Sequence, residues 1–166
     1  IEEMERPTSD RGFFDFYHHF QLDCVEFRLY SGYSASILTS VINQGNRLSS
    51  SEYENFIENR SKADYIWRGI EKNVSDINRP ELTEKKEKVY NEYYKTYRTF
   101  QNEVLLKAMN GSATRADAER LANLSVEAFD SIFELIREVN CETDRSVNEL
   151  ESKAVQQLKI ALWQFF

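Results

Sequence analysis

The chain has 166 residues, of which 41% are hydrophobic and 30% are charged, a size and composition typical of one domain with its own core. Its net charge of −7 and its scattered basic residues argue against nucleic acid as a partner, and no apolar run is long enough to span a membrane. Only 5 glycines and 2 prolines occur, which is too few turns for a β-sandwich and favours a few long helices.

The first predicted helix covers residues 11–44 and ends at the turn Gln44-Gly45-Asn46. Arg28 lies between aromatic side chains in this helix, and small residues follow it at Ser31, Gly32 and Ser34. Small side chains on a helix predict either a cavity or the close approach of a neighbouring helix. A cavity edged by arginine and aromatic side chains would be a candidate small-molecule site.

The second predicted helix, residues 50–77, begins with the capping-box spacing of Ser49 and Glu52. Its core-facing stripe has alternating spacings of three and four residues, which is the period of an α-helix packed on one face. The stripe consists of Tyr53, Phe56, Arg60, Ala63, Trp67, Ile70, Val74 and Ile77. Arg60 is its one charged member, so its guanidinium must pair with a carboxylate such as Glu103 or Asp130, reach water, or hold a ligand.

The third predicted helix, residues 80–110, starts with Pro80 in its first turn and stops at Asn110-Gly111-Ser112. Its stripe can begin at either Val89 or Tyr90, because both positions continue the pattern. The stripe then runs through Tyr93, Tyr97, Phe100, Val104 and Ala108. We interpret the tyrosines as packing residues rather than as a recognition cage.

The fourth predicted helix, residues 114–166, contains no Pro or Gly after Thr114 and would be about 75 Å long. Four long helices with short links predict an all-α fold, an up-down-up-down antiparallel four-helix bundle whose fourth helix extends past the others. The apolar segment from Leu158 to Phe166 is typical of a helix that approaches a bilayer, or is simply an apolar helix end. We expect residues 1–166 to be a single domain excised from a longer membrane receptor.

Cys24 and Cys141 would lie at similar heights in such a bundle, so a disulfide is one interpretation and two separate thiols is the other. His18 and His19 do not form the Glu-x-x-His pairs of a di-iron bundle, and no zinc spacing, phosphate loop or catalytic dyad occurs. We therefore expect no metal, no cofactor and no enzymatic activity.

Arg28 and Arg60 are the candidate ligand-binding residues, because the guanidinium fork selects carboxylates and other oxyanions. Trp67, Tyr30 and Ser31 would form the walls of the site or donate hydrogen bonds to the ligand. The alternative is structural: Arg60 is a satisfied ion pair, and the small residues are helix contact points.

Two segments resemble extracytoplasmic sensor domains of bacterial chemoreceptors, sensor histidine kinases and diguanylate cyclases. They are Arg28-Leu29-Tyr30-Ser31-Gly32-Tyr33 and the pattern Arg60-x-x-x-Asp64-x-x-Trp67-x-x-Ile70. The resemblance, which covers about residues 10–145, implies an all-helical periplasmic domain between two transmembrane helices that commonly forms a homodimer. Some such domains, including nitrate and nitrite sensors, use arginines in the bundle to hold an anion.

Two functions from different classes follow from these observations. The first is a periplasmic ligand-sensing domain that relays binding of a small molecule, with anions as one class, through movement of its fourth helix. The second is a helical protein–protein interaction or scaffolding bundle without a small-molecule ligand. A soluble helical enzyme or cofactor carrier is a third and less favoured class.

Overall fold

The structure, a computed structural model, describes residues 10–164, and this part of the chain contains four helices and no strand. Helix α1 is Asp10–Asn43 and helix α2 is Ser50–Ile77. Helix α3 covers residues 80–110, and helix α4, Arg115–Gln164, is 50 residues long. The predicted all-α class and the long last helix are confirmed. Phe165 and Phe166, which were included in the predicted fourth helix, lie outside the described residues.

The helix starts follow the capping residues that the sequence indicates. Ser49 Oγ accepts a hydrogen bond from the Glu52 N–H at 3.3 Å, and Glu52 Oε2 accepts one from the Ser49 N–H at 2.8 Å. Thr114 and Asp117 exchange the same pair of bonds at the start of α4. Hydrogen bonds from Lys107 and Thr114 lower the pKa of Asp117 to about 2, so the cap is ionised at neutral pH.

Helix α3 consists of three continuous parts: α-helical Pro80–Val89, π-helical Tyr90–Tyr97 and α-helical Arg98–Asn110. In the π-helical part, which we call the π segment, hydrogen bonds reach five residues back, as from the Arg98 N–H to the Tyr93 carbonyl. Val89 and Leu105 both lie in the core. In an uninterrupted α-helix they would be about 160° apart, so the wider turns of the π segment place them on one face.

Helix α1 contacts both α4 and α2. From α1 to α4, the Tyr17 hydroxyl lies 3.0 Å from Ser146 Oγ, and Gln21 Nε2 donates to Thr143 Oγ1 at 3.2 Å. Between α1 and α2, the rings of Phe27 and Trp67 are 5.1 Å apart. The core between the helices is built from large side chains that are fully buried. They include Phe20, Phe27, Phe56, Leu38, Ile70, Tyr93, Tyr97, Leu121, Ile132 and Leu135.

A buried carboxylate joins α4 to the residue that precedes α3. The Glu142 side chain is 2% exposed and accepts hydrogen bonds from Arg79 Nε at 3.2 Å and Ser146 Oγ at 3.1 Å. Arg145 Nη1 donates a third bond at 2.5 Å. The same Arg79 reaches the exposed Glu149 through Nη2 at 3.0 Å. Five linked polar side chains therefore fix this end of the core.

The last turns of α4 carry exposed side chains. Residues 151–160 are all exposed, and Trp163 is 86% exposed. Within residues 10–164, no helix is both long enough and apolar enough to cross a membrane.

Candidate functional site

An aromatic cluster occupies the middle of the core. The Phe27 ring lies 5.1 Å from Trp67, 5.3 Å from Tyr93 and 6.3 Å from Tyr94. Trp67 and Tyr94 are 5.4 Å apart, so the four rings from α1, α2 and α3 form one contiguous group. Trp67, which was predicted to line a ligand site, is therefore 4% exposed and packed among other rings.

A buried arginine borders this aromatic cluster. Arg98 donates to both carboxylate oxygens of Asp64, from Nη1 at 3.0 Å and from Nη2 at 2.9 Å. The Tyr94 hydroxyl donates to the same carboxylate at 3.1 Å. The guanidinium carbon lies 5.5 Å above the Tyr93 ring and 5.3 Å above the Tyr94 ring. Arg98 is thus held by a two-bond ion pair and two cation–π contacts, which are the strong forms of arginine recognition.

Arg60 lies one helical turn from Asp64 on α2. Its Nη1 donates to Asn102 Oδ1 at 2.5 Å, so its partner is a neutral amide rather than the exposed Glu103 or Asp130. Burial lowers the pKa of Arg60, and the positive charge of Arg98 lowers it further. Asp64 is bonded to Arg98, whereas Arg60 has no ion pair among the described residues and feels the Asp64 charge only at longer range.

Arg28 of α1 lies against α4. Its guanidinium carbon is 4.1 Å above the centre of the Phe133 ring of α4. Arg28 Nε and Ser31 Oγ are both buried and have no hydrogen-bond partner among the described residues. Such groups carry a desolvation cost that a ligand or water could offset.

Tyr30 lines a shallow groove of about 470 Å³ between α1 and α2. The groove already holds an ammonium from the chain itself. Lys62 Nζ lies 5.4 Å from the centre of the Tyr30 ring and 2.6 Å from Glu58 Oε1. The Tyr30 ring therefore faces a cation and not the guanidinium of Arg60.

The structure thus does not bring the five predicted site residues to one place. Arg60 and Trp67 flank the Asp64–Arg98 pair, whereas Tyr30 lies in the groove and Arg28 lies against α4. We call Arg60, Asp64, Tyr93, Tyr94 and Arg98 the arginine cluster. Sequence reasoning missed Arg98 because regular α-helical spacing puts it beside the core stripe rather than within it. The one signal was the ambiguity between Val89 and Tyr90, which indicates a change of register in α3.

Cys24 and Cys141 are both free thiols. Cys24 is buried, and burial raises its pKa, whereas Cys141 is exposed. The disulfide interpretation required both side chains to face the shared interface of α1 and α4, and Cys141 does not. Within residues 10–164, no group of His, Cys, Asp and Glu side chains could hold a metal ion.

No protein-family model, curated protein or solved structure matches this chain. The resemblance to sensor domains stays a prediction.

Proposed function

We propose that this chain is the extracytoplasmic ligand-sensing domain of a bacterial transmembrane receptor and has no catalysis of its own. The observation that carries the proposal is the arginine cluster, in which Arg98 is paired with Asp64 while the nearby Arg60 has only the neutral amide of Asn102 as a partner. In the proposed architecture the four helices form an up-down-up-down antiparallel bundle. The order of contacts supports this topology: Tyr17 and Gln21 of α1 meet Ser146 and Thr143 of α4, and Phe27 and Tyr30 meet Trp67 and Lys62 of α2.

The proposed ligand is a small anion that binds the guanidinium of Arg60. The arginine has one hydrogen bond to a neutral amide, and its charge is disfavoured by burial and by Arg98. A carboxylate or another oxyanion would replace Asn102 as the acceptor and balance the charge of the guanidinium. Trp67 would support the site indirectly, because its ring packs against Tyr94 and holds that tyrosine in place.

The proposed output is a movement of α4 toward flanking transmembrane helices. Helix α3 contacts α4 through the rings of Tyr97 and Phe129, which are 5.9 Å apart. Lys85 and Lys88 both bind Glu134 of α4, at 3.2 and 2.6 Å. A ligand that favours one position of α3 over another would therefore also shift the position of α4. We propose the periplasmic side of the inner membrane as the location, with chemotaxis as one output.

A thermal-shift screen against nitrate, acetate, dicarboxylates, amino acids and amines tests the sensing function. A ligand that binds only the folded state stabilises it by about 2.7 kcal/mol at a hundredfold excess over Kd. We expect at least one anion to raise the melting temperature and expect Arg60→Ala to abolish that shift.

Arg115→Ala is the matched control, because Arg115 is 88% exposed and, among the described residues, pairs only with its own helix neighbour Glu119. This variant should respond to the anion as the wild type does. A shift that survives in Arg60→Ala would place the ligand elsewhere. A screen without any hit would contradict small-molecule sensing and favour the protein-interaction bundle.

We further propose that the domain is a homodimer that pairs through α1. Four apolar side chains on the outer side of α1 are 42–50% exposed and follow helical spacing: Leu22, Val25, Leu29 and Tyr33. A glutamate at position 29 would bring two like charges together across a symmetric interface. We expect Leu29→Glu to convert the dimer to a monomer in sedimentation equilibrium, with an unchanged melting temperature at low concentration.

The matched control for the dimer is Leu106→Glu, because Leu106 is 61% exposed on α3, away from the α1 surface. It should leave the dimer intact. A wild-type monomer at concentrations up to about 1 mM would contradict the homodimer. In that case the stripe on α1 would favour the alternative function, in which a different protein docks on this helix.

A further inference from the structure

The helix that carries Arg98 combines two incompatible registers. Val89, Arg98 and Gln101 are 0%, 6% and 0% exposed, so all three face the interior. In a regular α-helix Arg98 would lie about 180° and Gln101 about 120° from Val89. Only the wider turns of the π segment allow the three side chains to share one face.

A second arrangement of the same helix is available to this sequence. If the π segment became α-helical, Val89 would line up with Tyr93, Phe100 and Val104, which also form an apolar stripe at α-helical spacing. The residues after the π segment would rotate by about 100° relative to those before it and move by about 1.5 Å along the axis. Arg98 and Gln101 would turn toward solvent.

Buried polar atoms disfavour the register observed in the structure. Arg98 Nε and Gln101 Oε1 are buried and have no hydrogen-bond partner among the described residues. Both atoms could be hydrated after the rotation, so the second register would recover their lost hydrogen bonds. The two bonds from Arg98 to Asp64 act in the opposite direction, because they exist only while Arg98 faces α2. The burial of Leu105 acts in the same direction as these bonds, because Leu105 would also turn outward.

We propose that α3 is a two-register switch in which the Asp64–Arg98 ion pair holds the π-helical register. Loss of the carboxylate leaves a buried guanidinium without a counter-charge, and rotation of the helix after Tyr97 then carries it to water. An anion that pairs with Arg98 only after the rotation would favour the second register. The inference rests on the proposed sensing function for its biological role, but the switch itself can be tested without any ligand.

Distance measurements between two spin labels report the rotation. One label replaces the exposed Leu106 of α3 and the other replaces the exposed Glu54 of α2, in a Cys141→Ser background. The buried Cys24, whose pKa is raised by burial, should not react with the label. A rotation of about 100° would move the label on α3 by about 8 Å, given a helix radius of 5 to 6 Å with its side chains.

Two variants break the same ion pair and should differ in outcome. We expect Asp64→Ala to add a second distance to the single distance of the wild type, because the unpaired guanidinium drives the rotation. Arg98→Met should keep the wild-type distance, because an apolar side chain of similar length prefers the interior. If Asp64→Ala lacks a cooperative melt, Asp64→Asn replaces it with the same expected result.

Deletion of Lys95 provides the locked control. Removing one exposed residue from the π segment allows a continuous α-helix with both flanking faces aligned as they are now. The double variant with Asp64→Ala and this deletion should return to the wild-type distance. The switch is overturned if Asp64→Ala retains the single wild-type distance, if Arg98→Met shows the second distance as well, or if the deletion does not suppress it. None of these results depends on whether an anion binds.

Discussion

Replacing Phe27 by Ala is expected to lower the free energy of unfolding by about 4 kcal/mol. The ring is fully buried and contacts three other rings, from Trp67 of α2 and from Tyr93 and Tyr94 of α3. Its removal leaves a cavity at the point where three helices meet, and rigid aromatic neighbours cannot collapse to fill it. Urea denaturation followed by circular dichroism measures the change from the midpoint and the slope.

The control for Phe27 is Tyr65→Ala on α2, because the Tyr65 side chain is 74% exposed. Its loss should change the free energy of unfolding by no more than about 0.5 kcal/mol. If Phe27→Ala cost as little as this control, the aromatic cluster would not be a well-packed core. A large cost with an unchanged m-value would confirm that the two-state fold is retained and only weakened.

Glu142→Ala should also destabilise the protein strongly, and we expect it to lower the free energy of unfolding by about 3 kcal/mol. Three donors converge on this buried carboxylate: Arg79 Nε, Arg145 Nη1 and Ser146 Oγ. All three lose a charged acceptor in the variant, and a cavity replaces the side chain. The two arginines can still reach water, so the expected loss of stability is smaller than the cost of leaving a buried charge without a partner.

Glu149→Ala tests whether the loss of stability in Glu142→Ala comes from burial or from the charge alone. Glu149 binds the same Arg79 but is 50% exposed. An exposed ion pair contributes less than about 1 kcal/mol and weakens further as salt is added. We expect the two variants to differ clearly in thermal and urea unfolding at 0.15 M salt. Equal losses would mean that the environment of Glu142 is hydrated and not buried.

The helices could be predicted from the sequence because each has local start and stop signals. The capping residues Ser49 and Thr114, the proline at position 80 and the glycine at position 111 all lie where the structure has a helix end. The apolar spacing then identified the buried face of α2, where Phe56, Ala63, Trp67, Ile70 and Val74 are all buried as expected. These signals act over one or two helical turns, so they need no knowledge of the neighbouring helices.

The arginine cluster could not be predicted because it depends on non-local geometry. Arg98 turns inward because the π segment shifts the register, and the same shift brings Val89 and Leu105 to the core together. Residue spacing assumes a constant turn angle, so it predicted the burial of Phe100, Val104 and Ala108 but missed that of Arg98 and Gln101. Arg60 was identified from its position in the stripe, but its partner Asn102 belongs to another helix.

The connection between α3 and α4 lies beside the one between α1 and α2. The Leu48 N–H donates to the Ala108 carbonyl at 3.1 Å, and Arg47 Nε donates to the Met109 carbonyl at 2.5 Å. Lys107 Nζ also forms an ion pair with Asp117 Oδ1, in the first turn of α4, at 2.6 Å. From Asp117 to its last described turn, α4 is about 70 Å long. If these bonds keep this end of the molecule fixed, a tilt of α4 by only about 2° would displace its far end by roughly 2.5 Å.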